Sequence, residues 1–394
     1  MKRILLQGST GSIGLSALDV LAEQNERFAV VGLCAGSKEA ELLAQAERLK
    51  PASIALLKCA DATSFRARAS EVGVARCYTG PDAFVEQARD EEYDVLLNAV
   101  MGGVGIRPTL VALERGHNVA LANKETLVAA GELVMHTARL HNAAVLPIDS
   151  EHSALQQCLV GEHIDDVARL WLTTSGGPFF GQRPGELSNV TARAALAHPT
   201  WQMGPKITID SATLFNKGLE VIEACRLFDL PVAKVGVVRQ RESVIHSLVE
   251  FVDGSFKGQM SRPDMRLPIL YALSYPRRFP SSMVRGNPAD WGTLHLEPVE
   301  IADYPCLRLA FEAVAAGGTT PAVLSAADEI AVQAFLADEI RFTDIADVID
   351  ATITAHEQQP AADIETILAA DRWARDFASR ETRRRAEQHT TVTC

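Results

Sequence analysis

Short apolar runs alternate along the first 150 residues with stretches whose apolar positions recur at helical spacing. This alternation is typical of βαβ units, which build a parallel sheet covered by helices. The apolar runs predict strands at 4–7, 28–35, 53–57, 94–100, 118–122 and 144–148, with helices between them, for example over 126–140. We therefore expect an α/β fold with a Rossmann-like, doubly wound parallel sheet at 1–150, and chemistry in the loops that follow its strands.

The pattern changes beyond residue 150. Residues 151–290 predict a central, catalytic α+β domain, with strands at 168–174, 234–238 and 244–251 and helices at 210–228 and 265–272. From residue 304 onwards the pattern is helical, and Pro and Gly are confined to the joints. These helices are predicted at 307–316, 321–336, 345–355 and 364–388. We expect a linker and a C-terminal helical domain at 291–394.

The composition is that of a soluble globular protein, and the length of 394 residues predicts two or three domains. Apolar residues make up 47% and charged residues 22%, which excludes a disordered or collagen-like chain. Asp and Glu outnumber Lys and Arg by 50 to 38, and the resulting net charge of −12 repels nucleic-acid backbones. The dense basic run Arg383-Arg384-Arg385 lies near the C-terminal end of a predicted helical stretch. The negative end of the helix dipole stabilises cations at that position. We expect no nucleic-acid partner.

The seven cysteines are scattered, without a C-x-x-C pair or a His at zinc-site spacing, and we expect them to be reduced. The N-terminus runs directly from Met1-Lys2-Arg3 into an apolar run that is too short for a signal peptide. No apolar stretch reaches 18 residues. These features predict a cytoplasmic protein that does not associate with a membrane.

Glycines recur at every third position after the first predicted strand, at Gly8, Gly11 and Gly14. A strand, a glycine turn and a helix start in this order let backbone N–H groups and the helix dipole hold a pyrophosphate, although such turns also occur without a ligand. Ser37 and Lys38 follow the second strand, where an NAD enzyme usually has a carboxylate for the ribose 2′-hydroxyl. They suit a 2′-phosphate and favour NADPH over NADH, although a single Lys is most often a solvated surface charge.

Two carboxylates, Asp149 and Glu151, follow the sixth predicted strand. Side chains at i and i+2 can converge on one cation, and carboxylate oxygens without Cys or clustered His favour Mg²⁺ or Mn²⁺ over zinc. The alternative is that these carboxylates cap the N-terminus of the helix that follows.

A second polar cluster lies on the helix predicted at 210–228. Asn216 and Glu220 are four residues apart and Lys217 is three residues before Glu220, so their side chains project from adjacent faces of one helix. Such a cluster on an otherwise apolar helix indicates a site. The alternative is an N-cap at Asp210 followed by an exposed polar face.

Seven motifs follow one another along the chain. They are Gly8-Ser9-Thr10-Gly11-Ser12-Ile13-Gly14, Leu121-Ala122-Asn123-Lys124-Glu125, Asp149-Ser150-Glu151-His152, Ser175-Gly176-Gly177-Pro178-Phe179, His198-Pro199-Thr200-Trp201-Gln202-Met203-Gly204, Asp210 to Glu220, and Pro263-Asp264-Met265-Arg266. In this order they resemble the 1-deoxy-D-xylulose 5-phosphate reductoisomerases of the non-mevalonate isoprenoid pathway, over residues 2–345. The resemblance implies that 1-deoxy-D-xylulose 5-phosphate is rearranged with a divalent metal as Lewis acid and reduced by NADPH to 2-C-methyl-D-erythritol 4-phosphate.

The resemblance also implies a role for each matching residue. The metal ligands are Asp149, Glu151 and Glu220, which with Lys124 and His198 make up the catalytic set. The substrate contacts also include Ser150, Trp201 and a phosphate pocket of Ser175, Ser211, Asn216 and Lys217. The NADPH contacts are Thr10, Gly11, Ser12, Ile13, Gly36, Ser37, Lys38, Asn123, Glu125 and Gly204. The family is expected to be homodimeric.

The segment 198–205 reads as a loop, because it has two prolines and a glycine and no periodic apolar pattern. It nevertheless carries the large apolar residues Trp201 and Met203. We expect a flap that closes over substrate and nicotinamide; the alternative is that both residues pack permanently onto the domain beneath.

The chain departs from the family pattern at two places. Gln240-Arg241-Glu242-Ser243 stands where the family usually reads His-Pro-Gln-Ser, and Ser325-Ala326-Ala327-Asp328-Glu329 stands for Asn-Ala-Ala-Asn-Glu. Neither stretch supplies a metal ligand in the resemblance.

Two other functions are compatible with a dinucleotide loop. One is an NADP-dependent dehydrogenase of another phosphorylated hydroxyketone. The other is a catalytically silent NADP-binding regulatory protein, which requires a lost carboxylate or lysine. The carboxylates and the lysine named for the metal and the phosphate are all present, so the reductoisomerase is the main prediction.

Overall fold

The computed structural model describes residues 1–179, 187, 189–197 and 204–392, with side chains up to residue 388. The chain divides into two compact units. The first unit comprises Met1–Thr126, Val134–Ser153 and Asp264–Arg285, and the second comprises Leu127–Leu133, Ala154–Pro263 and Gly286–Cys394. The segment Asp264–Arg285, which the sequence suggested for the central domain, belongs to the first unit. The three-domain division itself stays a prediction.

Within the described residues, twelve strands form two sheets. They are β1 Lys2–Gln7, β2 Phe28–Ala35, β3 Ser53–Leu56, β4 Arg76–Thr79, β5 Val95–Asn98, β6 Asn118–Leu121, β7 Val145–Pro147, β8 Val167–Thr174, β9 Val235–Arg239, β10 Ile245–Phe251, β11 Phe256–Met260 and β12 Glu297–Pro298. The first unit holds an all-parallel sheet in the order β4-β3-β2-β1-β5-β6-β7. The second unit holds a mixed sheet in the order β11-β10-β8-β9-β12.

Every predicted strand is confirmed, but β4, β11 and β12 were not predicted. All three lie at the edge of a sheet. β4 and β11 contain no buried residue, so their sequences lack the continuous apolar run of a strand that is buried on both faces. The polar residues of β4 and β11 illustrate this.

The described residues also form fifteen α-helices. They are α1 Ser12–Glu23, α2 Glu39–Leu49, α3 Ala62–Glu71, α4 Ala83–Asp90, α5 Ile106–Glu114, α6 Lys124–Leu140, α7 Ser150–Leu159, α8 Ala192–Ala195, α9 Pro205–Ala212, α10 Phe215–Phe228, α11 Arg266–Ser274, α12 Pro305–Ala316, α13 Thr320–Leu336, α14 Asp344–Ala355 and α15 Ile364–Val392. The last four confirm the predicted helical C-terminal region. None of the described helices combines the length and the apolar character needed to cross a membrane.

The prediction of one helix over 210–228 is wrong, because the helix is interrupted between α9 and α10. The Thr213 hydroxyl accepts the N–H of Phe215 at 3.2 Å and so replaces a helical hydrogen bond. Leu214 then adopts φ +57°, a left-handed conformation that no helix interior accommodates. The break separates the start of the second polar cluster from the rest of it.

Apolar side chains on one face of the parallel sheet form a core cluster of the first unit. Ile4, Leu33 and Leu97 are buried on neighbouring strands, and Leu18 of α1 and Ile269 of α11 pack in the same cluster. The residues of α11 from Pro268 to Ser274 are all buried. A helix that is apolar on all sides is predicted to be buried, but its sequence does not indicate which sheet it packs against. Tertiary packing therefore assigns α11 to the first unit.

Candidate active site

The glycine loop after β1 has a shape that requires glycine at two positions. Gly8 has φ +85°, and a Cβ there would overlap the carbonyl of Ala99. A Cβ at Gly14, in the first turn of α1, would overlap the carbonyl of Gly8. The strand order reverses between β1 and β5, so this loop lies at the position where doubly wound sheets bind their ligands.

The helix that follows the loop begins with an open N-terminus. Its N-cap residue is Gly11, which has no side chain to accept a hydrogen bond from the first turn. Gly11 and Ser12 are exposed, Ile13 is half-buried and Thr10 is buried. The first N–H groups of a helix have no intrahelical partner and carry the positive end of its dipole. This arrangement suits the pyrophosphate of a dinucleotide.

The residues predicted for the cofactor ribose lie at the end of β2. Gly36, Ser37 and Lys38 are all exposed. The next residue, Glu39, begins α2, and its carboxylate forms an ion pair with Arg68. The Glu39 carboxylate is therefore paired with a guanidinium. This agrees with the sequence prediction that no carboxylate here binds the ribose 2′-hydroxyl.

Asn123 ties two loops together at the carboxyl edge of the sheet. Its Oδ1 accepts the N–H of Thr126 at 2.9 Å and caps α6. Its Nδ2 donates to the carbonyls of Val100 and Gly102 at 2.9 and 3.0 Å and to Glu125 at 2.9 Å. The side chain thus positions the loop after β5, and the predicted contacts of Asn123 and Glu125 with the cofactor stay predictions.

Asp149, after β7, is held by two basic side chains of the first unit. Its Oδ2 accepts a hydrogen bond from the ammonium of Lys124, and its Oδ1 lies 3.4 Å from Nδ1 of the buried His152. Burial raises the pKa of the Asp149 carboxyl, but Lys124 and His152 outweigh burial and hold that pKa well below its ordinary value. Asp149 is therefore ionised and able to hold a cation.

The alternative role of Asp149 as a helix cap is also present. Oδ1 of Asp149 accepts the N–H of Glu151 at 3.2 Å at the start of α7. The hydroxyl of Ser150 donates to the Glu151 carboxylate. Because a carboxylate has about four lone-pair sites, capping and cation binding do not exclude one another.

The polar cluster on α10 is buried, so the alternative of an exposed polar face is wrong. Lys217 is 3% exposed and Glu220 is 1% exposed. Nδ2 of Asn216 donates to Oε1 of Glu220 at 2.6 Å, and the Lys217 ammonium donates to Oε2. Asp210 lies inside α9 and does not cap α10, whose N-cap is Leu214. A buried ion pair of this kind carries a desolvation cost that a merely solvated face would not.

Two of the predicted phosphate contacts lie on segments of the second unit that approach closely. Ser175 follows β8 and Ser211 lies in α9, and both are half-buried. Gly177 has φ +68°, and a Cβ there would lie 2.7 Å from the carbonyl of Ser211. Glycine at this position therefore allows the loop after β8 to reach α9. The exposed Gly204 is the N-cap of α9.

His198 and Trp201 lie outside the described residues, and so does most of the predicted flap at 198–205. Their roles stay predictions.

A buried charged cluster was missed by the sequence reasoning. The ammonium of Lys206 on α9 binds both Asp210 and Asp328 of α13. Lys206 and Asp210 are four residues apart on one helix, a signal that the sequence contained. Asp328 was named only as a departure from the family pattern, because its distance along the chain hides the contact. The link between His152 and Asp149 was also overlooked, although both belong to one motif.

The doubly wound parallel sheet, the glycine loop where its strand order reverses and the basic residue after β2 are typical of a dinucleotide-binding oxidoreductase. Comparison with known proteins identifies the family. Three family models match: "1-deoxy-D-xylulose 5-phosphate reductoisomerase" over 4–131, "1-deoxy-D-xylulose 5-phosphate reductoisomerase C-terminal domain" over 145–228, and "DXP reductoisomerase C-terminal domain" over 260–377.

Known relatives match nearly the whole chain. The 1-deoxy-D-xylulose 5-phosphate reductoisomerase of Chlorobium phaeobacteroides is 47% identical over 96% of this chain and 98% of its own length. A solved reductoisomerase of Zymomonas mobilis in complex with NADPH has a TM-score of 0.90 and 37% identity, covering 97% of this chain and 99% of that one. A reductoisomerase in complex with NADPH, fosmidomycin and magnesium also has a TM-score of 0.90 and 37% identity, covering 97% and 98%. The chain belongs to the 1-deoxy-D-xylulose 5-phosphate reductoisomerase family.

Proposed function

We propose that this chain converts 1-deoxy-D-xylulose 5-phosphate into 2-C-methyl-D-erythritol 4-phosphate, using NADPH and a divalent metal ion. The observation that carries the proposal is the match over 97% of the chain to a reductoisomerase solved with NADPH, fosmidomycin and magnesium. The three family models and the relatives that match nearly the whole chain at 37% identity or more are reductoisomerases, so neither a dehydrogenase of another hydroxyketone nor a silent regulatory protein is favoured.

The residues of the first unit fit NADPH. The open N-terminus of α1 offers the N–H groups of Ser12 and Ile13 to a pyrophosphate, and Thr10 and Gly11 shape the turn before it. Lys38 supplies a positive charge and Ser37 a hydroxyl for the 2′-phosphate, beside Gly36. When bound, NADPH supplies the hydride for the reduction.

The carboxylates fit a hard divalent cation. We assign Asp149, Glu151 and Glu220 as its ligands, because oxygen donors without thiolates are the set that Mg²⁺ and Mn²⁺ prefer. Asp149 and Glu220 each already accept a hydrogen bond from an ammonium, which supports their ionised state. When bound, the ion polarises the substrate carbonyl as a Lewis acid. Lys124 and Ser150 lie beside Asp149 and are assigned to the substrate backbone.

The substrate phosphate is assigned to a pocket of the second unit. Lys217 supplies a full positive charge, while the Ser175 and Ser211 hydroxyls and the Asn216 amide supply neutral donors. Because Lys217 is buried, its interaction with a phosphate is weakly screened by water. We assign His198 and Trp201 to a flap over the substrate.

We also propose a homodimer in which β11 of one copy pairs with β11 of a second. This strand is an edge of its sheet, and an unpaired edge offers N–H and C=O groups to another chain. Phe256 and Met260 at its ends are exposed, as is Val252 just before it, and together they give that edge an apolar surface. Sedimentation of the native chain should give a dimer, and the double variant Phe256→Lys, Met260→Lys should give a monomer. A dimeric double variant would place the interface elsewhere.

The proposed location is the cytoplasm. Six cysteines in the described residues are free, as expected in a reducing compartment. Cell fractionation with an antibody against the chain tests this location.

The test of the function is a reaction of purified protein with 1-deoxy-D-xylulose 5-phosphate, NADPH and either Mg²⁺ or Mn²⁺. We expect NADPH oxidation, with 2-C-methyl-D-erythritol 4-phosphate identified by NMR, and no reaction after chelation of the metal. NADPH oxidation with an unrearranged alcohol as product would support the dehydrogenase instead. Absence of NADPH binding would contradict both enzymes.

A further inference from the structure

Gln45 forms a buried hydrogen bond with the glycine loop. It lies on α2, and its Nε2 donates to the carbonyl of Ser9 at 3.0 Å. Ser9 is fully buried, and its own N–H donates to the carbonyl of Cys34 at 2.9 Å. Its hydroxyl donates to the same carbonyl at 3.2 Å. Both peptide groups of Ser9 are therefore held, one by the end of β2 and the other by Gln45.

The direction of the Ser9 carbonyl sets the direction of the next N–H group. In a planar trans peptide, the C=O of one residue and the N–H of the following residue point in opposite directions. Because Gln45 binds the Ser9 carbonyl, the Thr10 N–H is directed away from Gln45. Thr10 immediately precedes the exposed Gly11 and Ser12 at the N-terminus of α1.

We infer that Gln45 is a positioning residue for the cofactor: it holds the Ser9–Thr10 peptide so that the Thr10 N–H donates to the pyrophosphate of the dinucleotide. This inference rests on the proposed use of NADPH. No motif of the sequence pointed to Gln45, because it lies outside the glycine loop and on a different helix.

The chemistry of the amide makes the role specific. The bond needs a donor, which a Met side chain of similar length lacks. A Glu side chain has the same shape but, when ionised, presents an oxygen to the Ser9 carbonyl and repels it. Oε1 of Gln45 is buried without a hydrogen-bond partner among the described residues, so the donor is the half of the amide that forms the contact. The native chain should therefore bind the cofactor most tightly, Gln45→Met less tightly and Gln45→Glu least tightly.

A matched control is available in the same unit. Gln24 is also buried, and its Nε2 also donates to a backbone carbonyl, that of Pro280, at 2.7 Å. Gln24 follows the C-terminus of α1, at the end of the helix away from the loop. Gln24→Met removes a bond of the same kind without changing the loop.

The experiment measures dissociation constants of the full chain for NADPH, NADH and adenosine 2′-monophosphate by calorimetry, together with thermal unfolding. We expect Gln45→Met to weaken NADPH and NADH binding by the same factor. The factor should be about tenfold, because the Thr10 N–H then loses its hydrogen bond to the charged pyrophosphate. Binding of adenosine 2′-monophosphate should change by less than about twofold, because it has no 5′-phosphate to accept the Thr10 N–H. Gln24→Met should lower the unfolding temperature and leave all three constants unchanged.

Unchanged NADPH affinity in Gln45→Met would overturn the inference. Equal weakening of adenosine 2′-monophosphate and NADPH would overturn it as well, because Gln45 would then stabilise the domain without positioning the peptide. A native chain that binds none of the three ligands would instead contradict the proposed cofactor. A measurement on the native chain needs no variant: hydrogen exchange of the Thr10 amide should slow on addition of NADPH, and an unchanged rate would overturn the inference.

Discussion

Asp210 and Asp328 are bound by the same ammonium group. Nζ of Lys206 lies 2.6 Å from Oδ2 of Asp210 and 2.7 Å from Oδ2 of Asp328. The two carboxyls are 2% and 0% exposed, and the second oxygen of each has no hydrogen-bond partner among the described residues. One ammonium compensates only one carboxylate. Burial raises the pKa of both carboxyls, and the neighbouring Asp210 raises that of Asp328 further.

This pair predicts how stability depends on pH. The unfolded chain releases the Asp328 proton near the ordinary value of 3.8, while the folded chain retains it to a higher pH. The folded state then binds more protons, so the free energy of unfolding falls as pH rises from about 4 to the raised pKa. Asp328→Asn cannot titrate and offers Asp210 an N–H donor. We expect this variant to be about 1–3 kcal/mol more stable at pH 8, because it removes an unsatisfied buried group.

Urea unfolding of the native chain and of Asp328→Asn between pH 5 and pH 8 measures the effect. Asp350→Asn, a change of the same kind at an exposed position, is the control and should leave the pH profile unaltered. Equal slopes for the native chain and Asp328→Asn would mean that the pair does not titrate in this range.

The metal assignment predicts the effect of Glu220→Gln. This change keeps the shape of the side chain and removes one negative charge, so activity should fall by at least about 100-fold while the fold persists. Binding of Mn²⁺, followed by electron paramagnetic resonance, should weaken in parallel. Asp229→Asn alters an exposed carboxylate just after α10 and should leave both properties intact. Near-native turnover of Glu220→Gln at saturating Mg²⁺ would contradict the ligand assignment.

Lys217→Met tests the phosphate contact. Loss of a charge-assisted contact costs about 1.5–3 kcal/mol, so kcat/KM should fall about 10- to 100-fold. The change also removes the ammonium that Glu220 faces, so the free energy of unfolding should drop by about 3 kcal/mol. Kinetics must therefore be measured on the folded fraction, determined by circular dichroism. A substrate analogue without the phosphate should lose little, and an equal loss for both substrates would make Lys217 a structural residue.

The end of β2 predicts cofactor preference. Ser37→Asp places a carboxylate where the 2′-phosphate is expected, so the ratio of kcat/KM for NADPH over NADH should drop by at least about tenfold. Ser70→Asp adds the same charge at an exposed site on α3 and should leave the ratio unchanged. A native chain that already uses both cofactors equally would refute this interpretation of the loop.

Local patterns in the sequence predicted much of this molecule. The strands that are buried on both faces have continuous apolar runs. In the turn from Gly8 to Gly14, the close approach of backbone atoms requires glycine at both of these positions. The proximity of Asn216, Lys217 and Glu220 follows from the period of one helix. All of these features involve residues close together along the chain, where covalent geometry and hydrogen-bond pattern leave few choices.

The features that the sequence did not predict depend on residues far apart along the chain. Edge strands such as β4 lack an apolar run, and the side of the sheet that buries α11 depends on the path of the whole chain. The bonds of Gln45 with Ser9, of Lys124 with Asp149 and of Lys206 with Asp328 each join segments that only the fold brings together. Burial also raises the pKa of Asp328 above the value that the same carboxyl has in water. Tertiary structure alone determines these properties, because long-range contacts and desolvation have no local signal in the sequence.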